Sequence, residues 1–394
     1  MQKIKEVQEQ QPFAHWLNGV EGIGGVWARK LVEAFGTPKE VYRASEESLL
    51  AIAGSSRLAG LLAAQKREVY KEYEEMDQEG ILFLPYYHPE YPKRLLQIPD
   101  SPFGIYVKGK PPRDGERSIA IVGARNCSAY GRYVADAFAR AFAVEGVCVV
   151  SGMAKGIDGV AQGGALAAGG STYAVLGCGV DVCYPACHGT LYEKICASGG
   201  VLSTYPPKTA PSPRYFPPRN RIISGLSDAV LVVEAKQKSG TLITVDMALE
   251  QGREVYAVPG RITDRLSDGC NRLLVQGAGA ALSPAQVLRE LSETVWRNHQ
   301  PDGCKAGAMT LGESTAGAGR VIGKATGEID RQERALLSLL DFYPISVEQI
   351  YMMAQREKLL CALALPQLME LLWRLVVKGF VMDEGGYYGL KKPI

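Results

Sequence analysis

Glycine-rich turns, three of them with a basic side chain, recur between residues 123 and 241. They are Gly123-Ala124-Arg125-Asn126, Ser151–Asp158 with its Lys155, Gly177-Cys178-Gly179, and Lys238-Ser239-Gly240-Thr241. Glycine lets the backbone approach an anion, free amides at a helix start donate hydrogen bonds, and Arg or Lys supplies charge. The turns therefore predict a site that binds phosphate groups.

A basic segment with aromatic side chains lies between Lys194 and Ser227. It holds five basic residues and no acidic one, and Tyr205, Tyr215 and Phe216 are interleaved among them. Aromatic rings beside cations suit single-stranded nucleic acid, whose base faces are free to stack, whereas a duplex hides them. The alternative is a proline-stiffened surface loop with incidental arginines.

Signals for catalysis, a cofactor or a metal are weak. The turn at Gly123 is not GxGxxG and no acidic residue ends the second strand, so no nicotinamide cofactor is predicted. Asp158 has no evident acid/base partner, and Asp181 and Glu234 are expected to accept turn hydrogen bonds or pair with arginines. The spacing of Cys178, Cys183, Cys187 and His188 does not match a zinc site, so these cysteines are expected to be buried or loop thiols, and no cofactor or metal is predicted.

The elements that must position these turns alternate regularly after Arg117. Helical stretches such as Tyr130–Val144 and Leu242–Gln251 separate short apolar segments. Those predicted strands are Ser118–Val122, Val147–Ser151, Thr172–Leu176, Val201–Thr204, Ala229–Glu234 and Glu254–Val258. Such alternation predicts an α/β fold, a Rossmann-like doubly wound parallel sheet that binds ligands at the C-terminal edge of its strands.

Smaller domains are predicted on both sides of this sheet, which we assign to residues 81–297. Residues 1–80 read as a helical domain in which Gly22–Gly25 separates two helices. This turn either forms a phosphate-facing helix-hairpin-helix or, the favoured interpretation, only a tight turn. Residues 298–327 are rich in Gly, Ala, Ser and Thr and read as a flexible linker. Three helices and a hairpin in 328–394 predict a winged helix.

Bulk composition sets the expected environment. The 394 residues carry 44 basic and 42 acidic side chains, so a polyanion would have to meet locally concentrated cations. No signal peptide or membrane-spanning run is visible. Nine cysteines, an odd number, do not indicate a secreted disulfide framework. A cytoplasmic protein without a membrane partner is therefore expected.

The motifs together resemble the DprA/Smf family of DNA-processing proteins. The motifs that carry the resemblance are Val122-Gly-Ala-Arg125, Ser151–Asp158, Leu176-Gly-Cys-Gly-Val-Asp-Val-Cys-Tyr-Pro185, Phe216-Pro-Pro-Arg-Asn-Arg221, Ser239-Gly-Thr-Leu-Ile-Thr244 and Val258-Pro-Gly260. The resemblance implies a non-catalytic protein of natural transformation that binds incoming single-stranded DNA, forms a homodimer and helps to load the RecA recombinase.

The same resemblance implies which residues hold the DNA. Arg125 is expected to be the central phosphate ligand, with Lys155 and the Phe216–Arg221 segment lining the same pocket. The full predicted set is Gly123, Ala124, Arg125, Asn126, Lys155, His188, Phe216, Arg219, Asn220, Arg221, Lys238, Ser239, Gly240 and Thr241. The chain departs from the usual family pattern at Ala124, Gln162, Thr204 and Ala186.

Two alternative functions are a nucleotide-hydrolysing enzyme and a transcription factor, and a dimer contact is also predicted. A related Rossmann-like enzyme that hydrolyses nucleotides is the main alternative, but Lys238–Thr241 lacks its paired glycines and following glutamate. A winged-helix transcription factor is disfavoured because 328–394 carries nine acidic and eight basic residues. Within Gly269–Ala281, Leu273 and Leu274 are the predicted dimer contacts.

Overall fold

The computed structural model describes residues 2–297, 329–342, 344–383 and 387–391, with side chains from residue 9 onward. The chain divides into two compact units, Met1–Pro301 and Asp302–Ile394. The predicted linker 298–327 and the predicted hairpin turn at 384–386 lie outside the described residues, and the predicted domain boundaries stay predictions.

The first unit begins with six helices. They are α1 (Gln2–Asn18), α2 (Gly25–Phe35), α3 (Pro38–Arg43), α4 (Glu46–Ala53), α5 (Ser55–Ala64) and α6 (Val69–Gln78). Thr37 and Ser45 accept backbone hydrogen bonds and so cap α3 and α4. The chain turns between α5 and α6, so these are two separate helices.

The glycine turn before α2 is a packing feature. A Cβ atom at Gly25 would lie 3.0 Å from the backbone nitrogen of Phe103, so the start of α2 contacts the loop before the second strand. Arg29 donates to Ser101 Oγ at 2.9 Å and lies 4.3 Å from the ring centre of Tyr86. These contacts pack the start of α2 against the rest of the unit, and both interpretations of the turn stay predictions.

Nine strands and eight helices follow. The strands are β1 (Ile81–Pro85), β2 (Gly104–Gly109), β3 (Ser118–Val122), β4 (Cys148–Ser151), β5 (Thr172–Val175), β6 (Gly200–Ser203), β7 (Ala229–Val232), β8 (Glu254–Ala257) and β9 (Gly279–Ala280). The helices are α7 (Lys93–Leu96), α8 (Ala129–Val144), α9 (Ile157–Ala167), α10 (Gly189–Ser198), α11 (Phe216–Gly225), α12 (Gly240–Glu250), α13 (Asp268–Val275) and α14 (Pro284–Thr294).

All nine strands form one sheet in the order β1-β2-β6-β5-β4-β3-β7-β8-β9. Strands β3 to β9 are parallel, while β2 pairs antiparallel with both β6 and β1. The chain runs outward from β3 to β6 and then returns to place β7 beside β3. This reversal is a topological switch point, the place where doubly wound sheets leave a crevice for ligands.

Both faces of the sheet are buried, which confirms the predicted doubly wound fold. On β3, Ile119 and Ile121 pack with α8 and α9, while Ala120 and Val122 pack with α11 and α12. Alternate residues of a strand point to opposite faces, so an apolar strand needs a helix layer on each side. The six predicted parallel strands all occur within two residues of their expected bounds.

The second unit contains α15 (Arg331–Ser338), β10 (Ile345–Ser346), α16 (Val347–Ala354), α17 (Leu365–Val377), β11 (Val381–Asp383) and β12 (Tyr387–Leu390). Its strands form an antiparallel sheet in the order β10-β12-β11. A capping box formed by Ser346 and Gln349 begins α16. Three helices and a small sheet are the elements of the predicted winged helix. Across the described ranges, no helix is long and apolar enough to cross a membrane.

Candidate nucleic-acid interface

The predicted anion-binding turns follow the C-terminal ends of four strands. Gly123 follows β3, Gly152 follows β4, Gly177 lies just beyond β5, and the Lys238–Thr241 turn lies between β7 and α12. Because these strands are parallel, their C-terminal ends meet at one edge of the sheet. The fold therefore brings together turns that are up to 118 residues apart in sequence.

Close backbone contact locks the first two turns together. Gly156 has φ +80°, and a Cβ atom there would lie 2.3 Å from the carbonyl oxygen of Ala124 and 2.4 Å from that of Arg125. The amide of Ile157 donates to the Ala124 carbonyl at 3.2 Å. Only glycine combines this left-handed conformation with so close an approach. The backbone that carries Arg125 is thus held by the turn that carries Lys155.

The exposed side chain of Arg125 lies against an aromatic pair. Its guanidinium carbon is 5.4 Å from the ring centre of Phe216. The ring of Tyr184 stacks on Phe216, with the ring centres 5.7 Å apart and the ring planes inclined by 25°. Tyr184 is 40% exposed and was not among the predicted site residues. Its place in the Leu176–Pro185 family motif was the one signal that could have found it.

Two cavities share a wall formed by Arg125, Ala154, Phe216 and Arg219. The first, of about 300 Å³, lies at the ends of β3, β4 and β5, and Lys155 and Tyr184 also line it. The second, of about 470 Å³, lies at the switch point between β3 and β7, with Gly123 and the Lys238–Thr241 turn in its lining. Among the described residues, no Asp or Glu lines the first cavity, so its charged side chains are all cationic.

Arg219 brings a buried positive charge to this wall. Arg219 is only 6% exposed, and its Nη1 donates to the Val175 carbonyl at 2.5 Å. A Cβ atom at Gly152 would lie 1.8 Å from Nη1, so glycine is needed to make room for the guanidinium. Burial lowers the pKa of Arg219, and the charge of Asp158 opposes that shift.

Asp158 is the buried counter-charge to Arg219. Burial raises the pKa of the Asp158 carboxyl group, and the charge of Arg219 is the largest influence that lowers it. The carboxylate accepts a hydrogen bond from the amide of Gly152 at 3.2 Å. Asp158 thus orders the second turn and balances a cation, and its burial leaves it poorly placed for proton transfer.

Helix α11 presents one face to the cavities. Phe216, Arg219, Asn220 and Ile223 line them at intervals of three and four residues, the spacing of one helical face. Arg221 lies off that face: its guanidinium is 4.0 Å from the Asp100 carboxylate, and it lines neither cavity. The structure therefore corrects the prediction that every residue of the Phe216–Arg221 motif lines one pocket.

His188 is also displaced from the cavities. Its Nδ1 donates to the carbonyl of Met153 at 3.1 Å, and the ring packs against Gly159. It lines neither cavity. The imidazole supports the second turn, and the direct DNA contact expected at His188 stays a prediction.

Except for Ala124, which lines neither cavity, the remaining predicted site residues lie at the cavities. Asn126 and Lys155 line the first, and Lys238, Ser239, Gly240 and Thr241 line the second. Ser239 is the N-cap of α12, where its hydroxyl accepts from the amide of Thr241 at 3.2 Å. Capping aligns the free amides of the first turn of α12 with the second cavity.

Two departures from the family pattern lie away from the cavities. Gln162 is buried in α9 and donates to the Tyr173 carbonyl at 3.0 Å. The carbonyl of Thr204 accepts from Asn18 in the helical part of the unit. Neither residue lines a cavity, so both departures lie outside the candidate site.

The acidic residues after the strands order turns, as predicted. Glu234 accepts from both the amide and the hydroxyl of Ser128, at 2.9 and 2.5 Å, and thereby holds the start of α8. Burial raises the pKa of Glu234, and the Ser128 hydrogen bonds oppose that shift. Asp181 accepts from the amide of Lys208 at 2.9 Å. In the part of the chain that the structure describes, no cluster of three or more His, Cys, Asp or Glu could hold a metal ion.

The predicted dimer contacts belong to the core. Leu273 is 8% exposed and packs with Val230, Val255 and their neighbours under α13, and Leu274 packs partly buried against the same cluster. Leu273 already covers the sheet of its own chain, and a dimer contact at the partly buried Leu274 stays a prediction. On α13 it is Val275, 89% exposed, that faces outward.

Comparison with known proteins points to one family. The family model described as DNA recombination-mediator protein A matches residues 82–292. The chain is 39% identical over 239 residues to DNA processing protein DprA of Bacillus subtilis (strain 168), covering 59% of this chain and 80% of the relative. It is 44% identical over 200 residues to DprA of Streptococcus pneumoniae (strain ATCC BAA-255 / R6), covering 51% and 71%. The X-ray structure of the Streptococcus pneumoniae protein is similar, with a TM-score of 0.62, 33% identity and coverage of 71% of this chain and 96% of that one.

Proposed function

This chain belongs to the DNA recombination-mediator protein A family, also called DprA/Smf, and on that premise we propose that it binds single-stranded DNA at the two adjoining cavities. The observation that carries the proposal is their shared wall. There the guanidinium of Arg125 lies over Phe216, and the buried cation Arg219 lies beside them. The arginines of this one wall can bind phosphate oxygens, and its aromatic ring can stack on a base.

The geometry favours a single strand over a duplex. Cavities of about 300 and 470 Å³ have room for one or two nucleotides but cannot admit a double helix. The Tyr184–Phe216 pair offers a stacking surface, which is useful only when base faces are free. Lys155 and Lys238, one in each cavity lining, add charge for successive phosphates.

A titration with labelled oligonucleotides tests this proposal. Single-stranded and double-stranded forms of one sequence are compared by fluorescence anisotropy at a fixed salt concentration, since affinity depends on salt. We expect tighter binding of the single strand and competition by unlabelled single strands of unrelated sequence. Equal affinity for both forms would show that charge alone attracts the DNA and that the cavities do not select it.

We further propose that the protein forms a homodimer. Helices α12 and α13 cover the same face of the sheet, and each exposes one large apolar side chain near its C-terminal end. These are Leu249, 60% exposed, and Val275, 89% exposed. Light scattering at micromolar concentration is expected to give about twice the 42.6 kDa chain mass, and Val275→Asp is expected to reduce it. A wild-type protein that stays at the mass of one chain refutes the dimer.

The recombination role proposed for this DNA binding is assistance to the RecA recombinase in the cytoplasm during natural transformation. The family description as a recombination mediator supports this role. The test measures RecA filament formation on single strands coated with a single-strand-binding protein. We expect faster filament formation with the wild-type protein than with Arg125→Ala.

We propose no catalytic step. The carboxylates of Asp158 and Glu234 are buried and hydrogen-bonded to the turns that they order. The Lys238–Thr241 turn is not followed by a carboxylate within the next four residues. Incubation with nucleoside monophosphates is expected to release no free base, and measurable release would instead favour the nucleotide-hydrolysing alternative.

A further inference from the structure

The arrangement of arginine, aromatic ring and second aromatic ring occurs twice at this edge of the sheet. In the first stack, Arg125 lies over Phe216, which contacts Tyr184. In the second, Arg214 lies over Tyr215 with its guanidinium carbon 5.0 Å from the ring centre, and Tyr215 contacts Tyr205 with ring centres 4.2 Å apart. The central rings belong to consecutive residues.

The second stack lies outside the cavities. Tyr205, Arg214 and Tyr215 line neither of them, whereas Phe216 lines both. Because consecutive Cα atoms are only about 3.8 Å apart, the second stack begins beside the wall that the cavities share. A strand that leaves the first cavity on this side therefore meets it within about one or two nucleotides.

Hydrogen bonds to the turn after β5 fix the position of Tyr205, the outer ring of the second stack. The amide of Tyr205 donates to Ser203 Oγ at 3.0 Å, and that hydroxyl donates to the carbonyl of Cys178 at 2.6 Å. The next residues are tied to the turn after β5, where Asp181 accepts from the amide of Lys208. Tyr205 is thus anchored to the same strand end that bears Gly177 and Cys178.

The charge of Arg214 remains available. It is exposed, and its Nη2 donates to the hydroxyl of Tyr215 at 3.1 Å. No carboxylate in the described part of the chain forms an ion pair with it. The ring and hydroxyl of Tyr215 orient the guanidinium, and its remaining N–H groups stay free to donate to an anion.

We propose that Arg214, oriented by Tyr215 and Tyr205, is a second phosphate contact for single-stranded DNA, next to the one that Arg125 makes. This inference rests on the proposed function, because it extends the same strand beyond the cavities. Arg214 contacts the DNA backbone, whereas Tyr215 is a positioning residue that acts through Arg214. The site therefore engages only strands long enough to leave the first cavity.

The test compares two lengths of oligo(dT) over a range of salt concentrations. One is about two nucleotides long, so that it fills the cavities only, and the other is about fifteen nucleotides long. Arg214→Ala is expected to weaken binding of the longer strand by about threefold to tenfold and to reduce its salt slope by about 0.7. Binding of the shorter strand is expected to change by less than about twofold.

Two control variants separate this contact from general charge and from the cavity site. Arg113→Ala removes an equally exposed arginine that precedes β3 at the opposite edge of the sheet, and it is expected to leave both strands unaffected. Arg125→Ala is expected to weaken both lengths. If Arg125→Ala weakens binding but Arg214→Ala leaves the longer strand unchanged, the second contact is refuted while the proposed function stands. If Arg125→Ala also has no effect, the proposed function itself is refuted.

Variants of Tyr215 test the positioning role. Tyr215→Leu is expected to lower affinity for the longer strand as Arg214→Ala does, and the double variant should lose no more than Arg214→Ala alone. Tyr215→Phe keeps the ring under the guanidinium and is expected to retain most of the affinity. Additive losses in the double variant would show that Tyr215 acts independently of Arg214 and would overturn its positioning role.

Discussion

Replacing Arg125 with alanine is the most direct perturbation of the proposed interface. The side chain is exposed, lies 5.4 Å from the ring centre of Phe216 and lines both cavities. A hydrogen bond between charged groups contributes about 1.5–3 kcal/mol when well shielded. Because Arg125 is exposed to solvent, the lower value applies, and about 1.4 kcal/mol corresponds to a tenfold change in affinity. We therefore expect about a tenfold loss of single-strand affinity.

Arg221→Ala provides a matched control, since it removes the same charge from the neighbouring helix α11. Arg221 faces Asp100 at 4.0 Å and lines neither cavity. We expect its loss to change affinity by less than about twofold, because only long-range attraction is removed.

Fluorescence anisotropy with one labelled oligonucleotide at several salt concentrations distinguishes the two variants. Arg125→Ala is expected to reduce the salt slope by about 0.7, the value for one lost single-strand phosphate contact. Circular dichroism and thermal unfolding check that both variants are folded. Equal losses for the two variants would mean that net charge governs binding, and an unchanged affinity for Arg125→Ala would place the DNA elsewhere.

Three further predictions concern a glycine behind the site, a buried histidine of α1 and the second unit. Gly156→Ala forces a side chain into a left-handed position 2.3 Å from the Ala124 carbonyl, so we expect a loss of about 1–3 kcal/mol in the free energy of unfolding and weaker DNA binding. Both this loss and its control are measured by urea unfolding. The control is Gly163→Ala in α9, where no atom lies within 4 Å of the added Cβ, and it should be neutral or slightly stabilising. Burial lowers the pKa of His15 to about 4, from 6.5 in the unfolded chain, so the unfolded state binds more protons between these values and stability falls as pH drops through them. We expect about 2 kcal/mol of this stability to be lost between pH 7 and pH 5, and the pH dependence of urea unfolding should be flatter by that amount in His15→Gln. A shortened chain ending at residue 297 keeps every cavity residue, so it should fold and bind single strands within about threefold of full length, or ~0.65 kcal/mol; a tenfold loss in a folded protein would make the second unit a DNA site.

Local patterns in the sequence were sufficient for the architecture. Uninterrupted apolar segments such as Ser118–Val122 identify strands buried on two faces, and they match β3 to β8 because burial on both sides leaves no room for alternation with polar residues. The antiparallel edge formed by β1 and β2 was less evident as part of this sheet. Strand β2 joins the sheet through β6, which lies far along the chain, as the pairing of Tyr106 with Ser203 shows.

The orientation of α11 shows why the site was only partly predictable. The basic residues Arg214, Arg219 and Arg221 look alike in sequence, yet their surroundings differ. Arg214 precedes α11 and lies over the half-buried ring of Tyr215. Arg219 is buried beneath the cavities, and Arg221 faces Asp100. A helical period starting at Phe216 places Arg219 and Asn220 on one face and Arg221 off it. The face on which each residue lies depends on where α11 begins and on which elements it packs against. Local composition sets neither of these.

The sequence by itself determined where glycine-rich turns with a nearby cation lie, since glycine and a cation are local requirements for a backbone to approach a phosphate. Only the tertiary structure decided which side chains reach the shared wall. It stacked Tyr184 on Phe216, turned His188 toward the Met153 carbonyl and buried Leu273 in the core. The physical reason is that a side chain's direction depends on contacts between segments distant in sequence, and those contacts exist only once the sheet and its two helix layers have packed.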